Sequence, residues 1–538
     1  VFPTSLKHIR KNAFCGCSSL IKLSFPSSFI ELEPYCFSKC TKIIQLSCQA
    51  KLLSKGAFSF CTNLKDVLLP STIQLEAETF FGCTFLNRLE IPLVTKIGKQ
   101  CFSGCNSLSE LFLTHVKYIG TKAFEHCDCL KTLSLSSEVI LKDYAFLDCG
   151  RLSTLILPFI TEADFRISYS VFSGCTWLQT IFSGQNKYLF HSYQDLFYDK
   201  FPIFIREIFM SAISCFFINE NFSIIAYQNN GTILRIPEGI QKIEGNVFQD
   251  VMNLEEVSFP ESLTYIGPRA FTGTKWLTIQ REKTPFVIVH NILLDAASSQ
   301  GVVKVPDHVH LISGWAFANC FDLTELILSS KTTWIEEFAF RNCINLHQIT
   351  DQSTSQIYEL QTIYDQNREL PPWILRIFHD CYNCFKMASN GLLEECTGNI
   401  SDMVLPEGII TLGKGVFEDG NLLTRIHLAK STQFIEERTF AGCKWLTFVS
   451  GSSSLKRIGK QAFAGCICLE EIQDCKELKE LGIGAFENCT SLKRFIIPEG
   501  ISILPDRIFY RCHNLEEVIL PSTLEKIAFL FDIPIVKI

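Results

Sequence analysis

A phenylalanine recurs through almost the whole chain, usually every 22 or 23 residues. It falls at Phe14, Phe37, Phe58, Phe80, Phe102, Phe124, Phe146 and Phe172, at Phe248, Phe271, Phe317 and Phe340, and at Phe417, Phe440, Phe463, Phe486 and Phe509. Other positions travel with it. Five residues earlier stands Ile or Leu, three later stands Cys in 14 of the 17 units, and six later stands Leu except at Ile43. Nine later every unit is apolar except at Gln280. A register held over so many units is the mark of a repeat array, which grows by stacking rather than by adding cores. At 538 residues the length alone suggests three or four domains. The repeat replaces that expectation with one elongated array.

The unit reads LxxIxxxAFxxCxxLxxLxL, often followed by Pro and Ser as at Pro70-Ser71 and Pro521-Ser522. Its LxxLxL end alternates with period two, which predicts a short strand with one buried face. Pro stops that strand because it has no N–H for the ladder. The IxxxAFxxC part is too short for a long helix and predicts one or two helical or 3₁₀ turns. One coil cannot cover its own Leu and Phe, but stacked coils can, with their strands pairing in parallel.

The AFxxCxxLxxIxLPxS form resembles the BspA-like leucine-rich repeats of some bacteria and parasitic protists. The expected fold is a leucine-rich-repeat solenoid of the α/β repeat class. The resemblance implies a curved array with its parallel sheet on the concave side and short turns on the convex side. It also implies recognition or adhesion at a cell surface, or after secretion, with a protein or glycoprotein partner. A cytoplasmic interaction scaffold is the alternative. The sequence departs from the motif at Val251, Thr274 and Gly420, which replace the repeat Cys.

Two stretches lack the motif, dividing the chain into repeat blocks 1–182, 232–350 and 401–538 around interruptions at 183–231 and 351–400. A shorter variant occupies 281–306. All three interruptions read as an apolar strand, an Asn-containing turn and a second strand that re-enters the repeat. Their similar layouts suggest duplication of a larger module. The strand-end position eleven after Phe turns polar before each, at Ser183, Glu282 and Asp351.

The repeat cysteines are Cys17, Cys40, Cys61, Cys83, Cys105, Cys127, Cys149, Cys175, Cys320, Cys343, Cys443, Cys466, Cys489 and Cys512. One per coil predicts a ladder of buried thiols, since free Cys packs as a small hydrophobe with a weak donor. Parallel Cβ vectors suit disulfides poorly. The remaining 11 of the 25 Cys include Cys381 and Cys384, which with His379 make half a zinc site, with Cys396 a possible third Cys and no second pair. No metal or cofactor is expected. Gly413-Lys414-Gly415 and Gly482-Ile483-Gly484 continue to no phosphate-loop fingerprint. No HExxH or GxSxG motif occurs, so the chain does not read as an enzyme. The net charge of −7 argues against a nucleic-acid partner. No uncharged apolar run of spanning length predicts a membrane helix. Asn221, Asn230, Asn399 and Asn488 are glycosylation acceptors if the chain enters a secretory route.

The outward strand positions, seven, eight and ten after Phe, are the expected partner-binding face. They include Phe112, Ile156 and Phe182 in the first block and Glu255, Glu256, Glu470, Glu471, Glu516 and Glu517 later. The apolar trio is the stronger contact candidate, because exposed apolar groups on a broad surface favour partners.

Overall fold

The structure is a computed structural model. It describes residues 2–26, 30–158, 167–197, 200–359, 371–382, 384–388, 390–397, 401–406, 408–473, 475–527 and 535–537. The chain forms two compact units, Val1–Lys283 and Thr284–Ile538. Each is a β-solenoid in which successive coils pair in parallel at the repeat spacing.

Most coils carry two short strands. One is the expected strand after Leu, as in Glu110–Leu113, Thr132–Leu135, Thr154–Leu157 and Thr180–Ser183, which stand side by side in one sheet. The other covers only two residues and ends on the Ile or Leu five before Phe. Seven of these, from His8–Ile9 to Ile140–Leu141, build a second parallel sheet in the first unit.

The return segment around Phe is a chain of tight turns. Cys83 N donates to Phe80 O at 3.2 Å and Phe81 N to Glu78 O at 3.1 Å, the i to i−3 bonds of a 3₁₀ turn. The intervening amides reach the next coil. Glu78 N donates to Lys99 O at 2.9 Å, Phe80 N to Cys101 O at 2.8 Å and Gly82 N to Ser103 O at 2.8 Å. This alternation needs left-handed backbone two residues before and two after Phe. Tyr35, Glu78, Gln100 and Lys122 take it at the first position, and Lys39, Asp148 and Asn342 at the second. Such a conformation is uncommon outside Gly, and here the hydrogen bonds to the next coil hold it.

The repeat Phe rings stack along the core. Across neighbouring coils their centroids lie 4.9 to 5.8 Å apart and their planes diverge by no more than 15°. The strand spacing near 4.8 Å sets that distance, and offset stacking suits the ring quadrupoles.

Helices mark the interruptions. In the first, Thr180–Ser183 folds back on antiparallel Asn186–Leu189, and helix α1 (Ile203–Ala212) follows. Antiparallel strands Phe216–Ile218 and Ser223–Tyr227 come next, and the second rejoins the parallel stack at Lys242–Ile243. Helix α2 (Lys275–Lys283) closes the first unit. The second unit opens on antiparallel Val287–Val289 and Ile292–Asp295. Later, Gln348–Asp351 folds back on Gln356–Glu359, helix α3 (Pro372–Cys381) follows, and Phe385–Met387 pairs with Leu392–Cys396. The strand–turn–strand expectation thus lacked a helix that precedes each re-entry hairpin. Phe172 N donates to Ser211 Oγ of α1 at 3.0 Å, and Asn342 N to Asp380 O of α3 at 3.1 Å. Helices α1 and α3 therefore stand where the next coil's return segment would. Glu282, expected at a strand end, lies in α2 instead.

Candidate interaction surfaces

The thiol ladder is more ordered than simple burial requires. Thirteen of its fourteen cysteines donate S–H to the main-chain carbonyl of the preceding coil, at 2.9 to 3.4 Å. The acceptor is the preceding repeat Phe, except that Cys320 uses Ala296. Burial pushes Cys40, Cys443 and Cys512 up to about 11, whereas burial at Cys149 is outweighed by hydrogen bonds from Cys127 and Cys175 that draw it down. The raised thiols are thus protonated, inert and able to donate at neutral pH. Cys17 corrects the expectation. It is exposed. Cys381 and Cys384 are buried, and among the described residues no group of three or more His, Cys, Asp or Glu could hold a metal.

The apolar trio falls in a single row of the first unit's sheet. Phe112 pairs in register with Ser134, Ser134 with Ile156, Ile156 with Phe182, and Phe182 with Lys187 of the antiparallel edge strand. Phe112 is 65% exposed, while Ile156 and Phe182 are half-buried. The Lys187 ammonium sits 5.8 Å from the Phe182 ring centre. A parallel row of Thr132, Thr154 and Thr180 runs beside it. The sheet thus presents an apolar line beside a hydroxyl line.

The acidic candidates separate. Glu255 is held by Lys275 at 2.6 Å and Glu256 by Arg151 at 2.5 Å. Glu470 and Glu471 line an open groove of about 1060 Å³ in the second unit, together with Arg425, Phe448, Arg494 and Ile496. The groove lies where one sheet ends at Glu471–Ile472 and the next begins at Arg494–Ile496. Glu517 pairs with Arg494 at 2.7 Å, and Glu516 is exposed.

Buried acids missed in the sequence lie beside the first interruption. Asp148 Oδ1 accepts from Asn229 Nδ2 at 3.0 Å, and the same amide donates to Ser173 Oγ at 3.1 Å. Burial pushes Asp148 up to about 7 despite the Asn229 bond. Burial likewise lifts Asp128 to about 6 against the pull of His126. Gly174, at φ +80°, passes so close that a Cβ there would lie 2.0 Å from Asp148 Oδ1. Asp148 occupies the repeat's second left-handed position, where Gly is commonest and Asp recurs at Asp250 and Asp419, so nothing in the repeat pattern singles it out.

The repeat geometry has a matching family. The model of the BspA-type leucine-rich-repeat region matches in six copies, at residues 1–109, 74–203, 218–347, 294–368, 380–466 and 439–530. The chain belongs to this family. No curated protein matches it. Among solved structures it is similar to a leucine-rich-repeat protein of Bacteroides ovatus, with 18% identity over 92% of this chain and 88% of that one and a TM-score of 0.20. A leucine-rich cell surface protein of Faecalibacterium prausnitzii shares 18% identity over 89% and 87%, with a TM-score of 0.24. The T. pallidum leucine-rich-repeat protein shares 22% over 30% and 83%, with a TM-score of 0.25. Superpositions this loose carry no argument, and the family assignment rests on the repeat model. No helix of the described residues is long and apolar enough to cross a membrane.

Proposed function

We propose that the chain is a non-catalytic recognition scaffold, displayed at a cell surface or secreted, that binds a protein or glycoprotein through the strand face of its first unit. The observation that carries this is the alignment of Phe112, Ile156 and Phe182 in one row of the sheet, with Ser134 between Phe112 and Ile156. A rigid sheet offers such a row with little ordering to be done on binding, and exposed apolar groups on a broad surface favour a partner. The surface location follows family resemblance. Photo-crosslinkers placed at positions 112 and 182 test the face. Both should trap the same extracellular protein, and Ile156→Glu should abolish both adducts. Different adducts from the two positions, or adducts that survive the substitution, would remove the reading.

An intracellular scaffold is the second reading. It is favoured by the free thiols, which suit a reducing compartment. Surface biotinylation of intact cells expressing the full-length protein separates the two, because only a displayed chain is labelled.

A further inference from the structure

The second unit holds a pocket unlike the strand faces. It encloses about 280 Å³ and is lined by Trp334, Trp373, Asp351, Ser353, Thr332 and Arg376, among others. Three elements build it. Trp334 lies on the two-residue strand Trp334–Ile335 and is 63% exposed. Asp351 ends the strand Gln348–Asp351, and Trp373 and Arg376 lie one turn apart at the start of α3.

The groups are fixed in place. Tyr358, itself buried, meets the Trp373 ring edge-on, with centroids 5.6 Å apart and planes at 80°. Asp351 Oδ1 accepts from Ser353 N at 2.8 Å and Ser353 Oγ at 2.7 Å, and its Oδ2 accepts from Thr354 Oγ1 at 2.9 Å. Burial alone would raise this carboxyl, but those bonds outweigh it and hold it below the usual range, so it stays an acceptor. Arg376 Nη2 donates to the Ile335 carbonyl, while among the described residues its buried Nε–H meets no partner. An unpaired guanidinium N–H beside a cavity is a donor awaiting an acceptor.

We propose that this pocket binds one neutral hexose unit of a glycan, its C–H face against the indole rings of Trp334 and Trp373 and its hydroxyls bonded to Arg376 and Asp351. The volume suits a single ring rather than a nucleotide. Large flat rings beside a few fixed polar groups match a ligand with one apolar and several polar surfaces. One guanidinium and one carboxylate balance each other, which favours an uncharged ligand over a phosphate or a cation. The site lies in the other unit from the Phe112 row, so it stands or falls independently of the proposed protein-binding face.

Saturation-transfer NMR and calorimetry on the full chain test it, with methyl glycosides of glucose, galactose, mannose and N-acetylglucosamine as probes and N-acetylneuraminic acid and inorganic phosphate as charged controls. At least one neutral glycoside should show transfer at millimolar concentration. Trp334→Ala should weaken it by roughly tenfold or more, the scale of one lost anchor, with an unchanged melting temperature because the ring is exposed. Phe112→Ser should leave it intact. Absence of transfer from every glycoside, tighter binding of either anion, or affinity unaltered in Trp334→Ala would each overturn the proposal.

Discussion

The cysteine three residues after each Phe illustrates how much one side chain does in a coil. The Phe carbonyl takes its own coil's amide, as from Cys83 N to Phe80 O, and the next coil's thiol, as from Cys105 Sγ at 3.3 Å. Ser would hydrogen-bond more strongly but carry more polarity into the core, and Ala would leave the second lone pair bare. The three coils without this Cys all border an interruption, where no repeat Phe lies one period away on one side. Thiol titration of the native chain with a disulfide reagent should therefore modify Cys15, Cys17 and Cys129 first, because they are exposed. The thirteen bonded ladder thiols should react only on unfolding. Rapid native modification of Cys105 would show that the ladder breathes. Asp148 gives a pH test. Its folded pKa of about 7 lies above the unfolded value near 3.9. The folded state thus holds the proton more tightly, and the associated stability is full below about pH 4 and lost as pH rises through about 7. Asp148→Asn keeps an acceptor for Asn229 and suits left-handed backbone. Urea unfolding should show it more stable than wild type by on the order of 2 kcal/mol at pH 8, with the difference vanishing near pH 4. A difference independent of pH would mean that charge is not the cause.

At the level of the element, the strand after Leu was legible because a buried-face alternation such as Leu111-Phe112-Leu113 has a period. The two-residue strand before Phe was not, since Tyr118–Ile119 is too short to show one. The left-handed residues were equally hidden, because Tyr35, Glu78 and Lys122 have no local preference for that conformation and take it only when a neighbouring coil supplies the carbonyl. Helix α1 carried a readable signal. Phe204, Ile205, Ile208, Phe209 and Ala212 make one buried face behind Pro202, which suits a helix start. The surrounding strand repeat drew the reading of that segment toward β. For the candidate face, register placed Phe112, Ile156 and Phe182 in equivalent positions, but the ion pairs of Glu255 and Glu256 cross coils and could not be read from one unit. The Phe stack is the element on which each coil depends. Phe102→Ala removes a ring stacked at 5.3 and 5.1 Å on its two neighbours. It should lower the stability of the first unit by about 3–5 kcal/mol in chemical denaturation, as for other buried Phe truncations. A loss below about 1 kcal/mol would show that the coils close over the gap.

For the molecule as a whole, nearest-neighbour coupling is the simplest description of a solenoid, and most bonds between coils fit it. The first unit contains an exception. Arg151 pairs with Glu256 across 105 residues of sequence, and Asn229, inside the first interruption, bonds both Asp148 and Ser173 before it. Arg235 N also donates to Thr176 Oγ1 at 2.8 Å. Coils before and after the interruption are therefore joined directly as well as through α1. A perturbation before the interruption should then reach beyond it. Amide exchange of Phe124→Ala should show lowered protection in its neighbouring coils and also in the strands Ile233–Arg235 and Glu256–Ser258. Adding Asn229→Ala and Arg151→Ala should reduce the effect beyond the interruption, leaving what α1 and the Arg235 N–Thr176 Oγ1 bond transmit. If protection in Ile233–Arg235 falls equally with and without these bonds, the coupling runs through α1 and the Arg235–Thr176 bond, and the polar contacts around Asp148 serve only local packing.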